Sequence, residues 1–500
     1  MNVGRKLIKG SLLRNLEFFI MVAVTFVMTP FIVKTLGDRM YGFWSLVATF
    51  IGYYGLLDFG LTSAISRFIS RAIGRDDLDD IRKVASTSLV LMIGIGFLAL
   101  FITLVVVLLS PYFIEDPEEI ALFRMIIVLM GVSVAAGFPV RVFGGILSSH
   151  LRYDYITLVS IFRVIITNAL IFYYLEQGSG LLALTFINIV GNLLQYSALA
   201  IYCRLTYPSI LISRKYFDRS KIKTLFDYSS KTFVAQLADL LRFRVDSLVI
   251  AGFLNLSLVT YYSIGARLMD YFVQFIVSTV GVLGPLYSQR EGCGDMASVR
   301  DIFEKATKVC IVLAVFVGTS IMFYGKPFIE RWMGPGFESS YTVTLILAVG
   351  YSIALMQSTS VNLLYGISKH NYFAVANMAE GLSNLFLSII LVKYYGIYGV
   401  ALGTTITMVF FKLLLQPIYT CRSIEYPLIK YYINLLVGTM AKTLLPLGCF
   451  YLMVQDKLFP TYFDIFLYAL IQGLLFAPIV YFFVFNKNDR FILRAVIFGK

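Results

Sequence analysis

The run LEFFIMVAVTFVMTPFIV, residues 16–33, decides the fold class. Glu17 is its one ionisable residue, and crossing hydrocarbon as a helix takes roughly 20 apolar residues. Arg5, Lys6, Lys9 and Arg14 precede it, a basic flank that predicts a cytoplasmic start. The run is too long for a signal-peptide core and ends in no small-residue cleavage site, so it is expected to stay as a first transmembrane helix.

Outward from this stretch the same pattern recurs. Apolar segments lie near 12–35, 40–64, 84–110, 120–147, 153–175 and 180–206, then near 228–254, 258–286, 305–331, 341–366, 371–395 and 397–420, with a last pair near 430–455 and 460–485. That reading predicts an all-α polytopic membrane protein of about fourteen spans. Composition agrees: 59% of the 500 residues are hydrophobic and 14% charged, more apolar surface than one soluble core could hide. Phe and Tyr supply most of the aromatic share and suit belts at the two interfaces. No connection exceeds about 25 residues, which leaves no room for an extramembrane catalytic domain.

The formal charge of +13 would suggest nucleic acid in a soluble protein. Here it follows the positive-inside rule instead, and no nucleic-acid partner is expected. Arg67, Arg71, Arg75, Arg82 and Lys83 crowd one even-numbered connection, Arg214, Lys215, Arg219, Lys221, Lys223 and Lys231 another, and Arg290, Arg300, Lys305 and Lys308 a third. Odd-numbered connections are neutral or acidic, as in Glu115-Asp116-Pro117-Glu118-Glu119 and Asn255–Thr260. Both termini are therefore expected in the cytoplasm. The five cysteines show no paired spacing and there are two histidines, so neither disulfide, metal centre nor cofactor is expected.

The chain also resembles itself at an offset of about 220 residues, an architectural signal in transporters. GGILSSHLRYDY (144–155) aligns with LYGISKHNYF (364–373), bringing His150 and His370 into register. IGRDDLDDIRKV (73–84) aligns with CGDMASVRDIFEKA (293–306), and GLLAL (180–184) with GVALG (399–403). The expected domains are a six-helix bundle at 1–206, a basic linker at 207–227, a second bundle at 228–421, and two added helices with a tail at 422–500. Repeats running from cytoplasm to cytoplasm are parallel, and two such bundles predict a central cleft and alternating access.

Ionisable groups deep in a bilayer are costly and mark function or internal pairing. Asp239, Arg242 and Asp246 share a face of the seventh helix by their i, i+3, i+7 spacing, while Arg244 points elsewhere. Arg267 and Asp270 form an i, i+3 pair in the eighth. Arg163 and Glu380 lie near mid-depth in the fifth and eleventh helices, where a contact between them is one reading, and Asp58, Arg141 and Glu17 lie nearer the cytoplasm. Structural ion pairs are the competing reading for Arg242 and Arg267. Arginines at mid-depth suit a large anion such as pyrophosphate, because guanidinium forks match phosphate oxygens. An exporter of cations or drugs would be expected to show mainly carboxylates. Arg67, Arg71 and Arg75, four residues apart, read as a solvated or phospholipid-facing surface.

TPFIVKTLGDRMYGFWSL (29–46), LLDFGLTSAISRFIS (56–70), RVDSLVIAGFLNLSLVTYYSIGARL (244–268) and YYGIYGVALGTTI (394–406), in this order and spacing, resemble the polysaccharide-transporter branch of the multidrug/oligosaccharidyl-lipid/polysaccharide (MOP) exporter superfamily, which includes Wzx-type O-antigen flippases. The resemblance covers essentially the whole chain. It implies a MATE- and MurJ-like fold and a lipid-linked oligosaccharide, most often on undecaprenyl pyrophosphate, flipped from the cytoplasmic to the periplasmic leaflet of a bacterial inner membrane. It also implies that Asp58, Asp246 and Arg267 stand at positions the family fills with like residues. The last helix pair is similar to that of lipid II flippases, where it forms a groove for the lipid tail.

On this reading Arg242, Arg244, Arg267 and Arg163, with Arg141, hold the head group, while Asp58, Asp239 or Glu380 could couple H+ or Na+. A polysaccharide polymerase or ligase is the partner such a role would imply. A cation exporter of the same fold is the first rival and a membrane-embedded sugar polymerase or ligase the second, the latter disfavoured by short outer loops poor in Arg and His.

Overall fold

Helix α1, Val3–Leu36, contains the opening run and continues through Pro30. It does not bury a single stripe: Phe19 and Val27 are 68% and 61% exposed. Large apolar side chains left uncovered along a helix of this length have lipid as their solvent. The computed structural model describes residues 3–114, 116–227, 229, 233, 237, 245–280, 283–367, 369, 371–455, 457 and 459–485, with backbone alone at 3–12, 15, 278–279, 284–285, 289 and 371–374.

The chain is all-α and polytopic. After α1 come α2 (Asp38–Tyr54), α3 (Leu61–Ile73), α4 (Leu78–Leu109), α5 (Pro117–Ser149), α6 (Tyr153–Glu176) and α7 (Leu181–Thr206). Beyond the linker lie α8 (Asp246–Phe253), α9 (Leu256–Val280), α10 (Leu283–Gly292), α11 (Met296–Met333), α12 (Glu338–Met356) and α13 (Ser358–Gly366). Then follow α14 (Asn371–Val409) and α15 (Gln416–Ser423), joined by a π-helical turn at Phe410–Leu415. The last two are α16 (Leu428–Val454) and α17 (Tyr462–Phe483).

Among the described residues, eleven helical stretches are long and apolar enough to cross a membrane. One of them, Val375–Ser423, runs for 49 residues. It breaks at Gly396, whose φ of 57° and ψ of −137° lie in a region other residues avoid. The break falls between the segments expected at 371–395 and 397–420. Much of the expected span 228–254 lies outside the described residues, while α9 covers most of 258–286.

Two compact units divide the chain: Met1–Leu240 with Ile250–Thr260, and Leu241–Val249 with Tyr261–Lys500. In the first, Leu61, Ile65, Met92, Phe138, Ile146 and Leu147 form a closed core where α3, α4 and α5 meet. α3 is amphipathic: Leu61, Ala64, Ile65, Ile69 and Ala72 face that core, while Arg67 and Arg71 are exposed. The linker lies along this unit. Ser213 N–H donates to Ser86 Oγ at 3.1 Å, Asp218 N–H to Thr87 Oγ1 at 3.0 Å, and Lys221 pairs with Asp80. Bonds from Ser220 hold the Asp218 carboxyl below the usual carboxylate range.

In the second unit α11 is the central helix, against which α12, α16 and α17 pack. Phe316 stacks on Phe476 at 5.0 Å and Phe323 on Tyr451 at 4.5 Å. The self-similar stretches begin alike. Asp77 caps α4 by accepting from Asp80 N–H at 2.9 Å, and Asp295 caps α11 by accepting from Ser298 N–H at 2.9 Å.

Candidate functional site

In the first unit, α5, α6 and α7 bring two arginines toward one tyrosine. Arg141 (α5) reaches Asp58 at 3.3 Å and lies over the Phe138 ring at 4.5 Å. Asp58 closes the short 3-10 turn Gly55–Asp58 and is buried, accepting from the Thr62 hydroxyl at 2.6 Å and the Thr62 N–H at 3.2 Å. One carboxylate oxygen thus serves a guanidinium that is itself 36% exposed. The Arg141 fork is anchored without being enclosed.

Arg163 (α6) donates from Nη1 to Asn192 Oδ1 on α7 at 3.4 Å, while its buried Nε finds no acceptor among the described residues. A guanidinium offers five donors in a fixed plane. An unused donor out of reach of solvent costs stability unless a ligand oxygen satisfies it. Tyr196, one turn beyond Asn192, lies in the field of both Arg141 and Arg163, and Glu17 on α1 in that of Arg163. Gly137 makes room for this tyrosine: an added Cβ would stand 2.4 Å from its hydroxyl.

The second unit carries a different cluster. Asp246, at the start of α8, is 7% exposed. It accepts from the Tyr262 hydroxyl, from Thr404 Oγ1 at 3.1 Å and from Asn384 Nδ2 at 3.4 Å. Ser388 extends the network by donating to Asn384 Oδ1 at 3.1 Å. No ion-pair partner meets Asp246 among the described residues. A carboxylate wrapped in neutral donors and oxygens has the chemistry of a proton or small-cation site.

Glu380 lies fully buried on α14 and pairs with Lys412 at 3.1 Å, whose ammonium also donates to Asn377 Oδ1 at 2.8 Å. Its charge is thus met within its own unit. Lys412 sits on the π-helical turn, and such turns redirect a side chain that a regular helix would aim elsewhere. Arg267 and Asp270 stand 4.0 Å apart with side chains 39% and 59% exposed, a loose pair with its guanidinium half-open.

Of the residues singled out by sequence, the structure joins Arg141 to Asp58 and sets Arg163 near Glu17, while Arg267 with Asp270, Asp246 and Glu380 form three further groups. Asp239, Arg242 and Arg244 lie outside the described residues, as does His370. His150 ends α5, its ring nitrogen Nδ1 at 2.9 Å from Ile146 O and its ring against Tyr207. Tyr196, Asn192, Tyr262, Asn384 and Thr404 are neutral and carry no mid-membrane charge to mark them, whereas Lys412 does carry one. A signal did exist: Asn377, Glu380, Asn384 and Ser388 repeat at i, i+3, i+7 and i+11, a polar stripe on an apolar helix.

A family model described as "Polysaccharide biosynthesis protein" matches residues 32–342. A Shigella flexneri protein described as an O-antigen transporter is 21% identical over 433 residues, spanning 83% of this chain and 98% of the relative. The Bacillus subtilis membrane protein EpsK is 22% identical over 427 residues, or 82% of each chain. Among solved structures, the lipid II flippase MurJ in an inward closed conformation superposes with a TM-score of 0.71 at 17% identity, covering 93% of this chain and 98% of that one. An inward-facing multidrug resistance MATE family transporter of the MOP superfamily gives 0.66 at 16% identity, covering 80% and 94%. At such identities the two structures speak for the fold alone.

Proposed function

The chain belongs to the family of polysaccharide biosynthesis proteins, and we propose that it flips an undecaprenyl-pyrophosphate-linked oligosaccharide from the cytoplasmic to the periplasmic leaflet of a bacterial inner membrane. The repeat unit of an O-antigen, capsule or exopolysaccharide is the cargo in view. The observation that carries the reading is Arg163, whose buried Nε is without an acceptor among the described residues, beside Tyr196 and the half-open Arg141. That arrangement offers charge-assisted bonds to a pyrophosphate oxygen and leaves the polyprenyl tail in lipid. The description of the Shigella flexneri relative as an O-antigen transporter supports the same substrate class.

Transport by alternating access exposes this cationic site first to one leaflet and then to the other. Moving about two negative charges outward across 100 mV, inside negative, is favourable by roughly 4–5 kcal/mol, so membrane potential can bias export. Asp246 is the best-built candidate for coupling to H+ or Na+, since its carboxylate has oxygen and hydroxyl neighbours and, among the described residues, no fixed cation beside it. A flippase of this kind hands its cargo to a polysaccharide polymerase or ligase.

Complementation tests the reading. In a strain lacking its own flippase, Arg163→Ala and Arg267→Ala are each expected to abolish surface polysaccharide at wild-type membrane levels. Full surface polysaccharide in both would remove these arginines from transport. Binding of cationic dyes in preference to lipid-linked sugar would favour a cation exporter instead.

A further inference from the structure

In the second unit, the ends of α11 and α16 and the chain leading into α17 enclose a pocket of about 390 Å³. It is within the usual size of small-molecule sites. Its walls include Phe323, Tyr324, Tyr451 and Phe459, and Lys326 and Lys457 stand at its rim. Phe323 stacks on Tyr451 with centroids 4.5 Å apart, and Tyr324 meets Phe459 edge-on at 5.5 Å. The rings are thus held by one another.

Two features point to a ligand. Tyr324 is only 6% exposed, yet its hydroxyl is buried with no hydrogen-bond partner among the described residues. A buried phenol without an acceptor carries a desolvation cost that a ligand oxygen would remove. By contrast Tyr341, also in the lining, already donates to Met322 O at 2.7 Å. The second feature is charge. The connection between α16 and α17 belongs to the end that the charge pattern predicts to face outward, where lysines are disfavoured. Lys326, 4.0 Å from Glu330, and Lys457 nonetheless both line the pocket there.

We propose that this pocket binds the anionic phosphate head of an outer-leaflet phospholipid. The Tyr324 hydroxyl donates to a phosphate oxygen, the two ammoniums balance its charge, and the first part of an acyl chain lies on Phe323 and Tyr451. The site is separate from the arginines of the first unit and stands or falls without them.

The test uses the full-length protein in micelles holding equal phosphatidylglycerol and phosphatidylcholine, with retained lipid counted by native mass spectrometry. Wild type is expected to keep one phosphatidylglycerol that the double variant Lys326→Gln/Lys457→Gln loses. Tyr324→Phe preserves the ring and its packing, and is expected to weaken that retention about tenfold with an unchanged melting temperature. Inorganic phosphate alone is expected to leave the melting temperature of wild type unmoved. Equal retention of both lipids, retention indifferent to the variants, or stabilisation by inorganic phosphate alone would each overturn the assignment.

Discussion

Arg163 and Asp246 are two ways of keeping an ionisable group inside an apolar chain. Arg163 is bonded on one side to Asn192 and left open at Nε, whereas Asp246 is surrounded by donors. The first suits an anion that comes and goes, and the second a small cation or proton. Arg163→Lys keeps the charge and loses the planar fork, so transport is expected to fall at least about tenfold in a flipping assay. Asp246→Asn keeps the shape of its network, and the expected outcome is a folded, membrane-inserted protein that no longer responds to an imposed ion gradient. Arg163 and Asp246 were legible in the sequence because a charge amid apolar residues stands out. Tyr196 and Thr404 were not, because neutral polar residues are common in such helices and only their neighbours give them a role.

At the scale of elements, glycines and helix irregularities decide which side chains can meet. Gly137 admits the tip of Tyr196, whereas a Cβ at Gly144, seven residues on, would meet nothing within 4 Å. Gly137→Ala is therefore expected to lower transport by displacing Tyr196, and Gly144→Ala to leave it unchanged, at equal expression. The turn at Gly396 gives a stability test. Alanine in that backbone conformation is strained by about 1–3 kcal/mol, which a lowered melting temperature of Gly396→Ala would register. Apolar run length announced most helices. It could not announce the π-helical turn that carries Lys412, since its sequence, FFKLLL, reads as ordinary helix. Lys412 is visible in the sequence as a charge, whereas its pairing with Glu380 is not, because the turn sets the direction of the side chain.

For the whole molecule, the alternation of apolar runs and basic connections made an all-helical polytopic chain legible from the start, and the ordered motifs made the family legible. Physical periodicity says how often a chain crosses lipid and is silent about what it carries. Substrate choice rests on a few side chains whose meeting depends on tertiary packing, as Arg141 and Asp58 meet from residues far apart in the chain. The family places this protein in polysaccharide biosynthesis, and the cationic cluster of the first unit narrows the proposed cargo to something anionic. Because that cargo carries charge across the bilayer, inside-negative potential is expected to speed export, and collapsing the potential with an ionophore to slow it several-fold.

The most direct measurement is flipping of a fluorescent undecaprenyl-pyrophosphate oligosaccharide in proteoliposomes holding only this protein. Wild type is predicted to move the lipid between leaflets and the Arg141→Ala/Arg163→Ala double variant to match empty liposomes. Movement by the double variant at the wild-type rate, with the protein folded and inserted, would contradict the account.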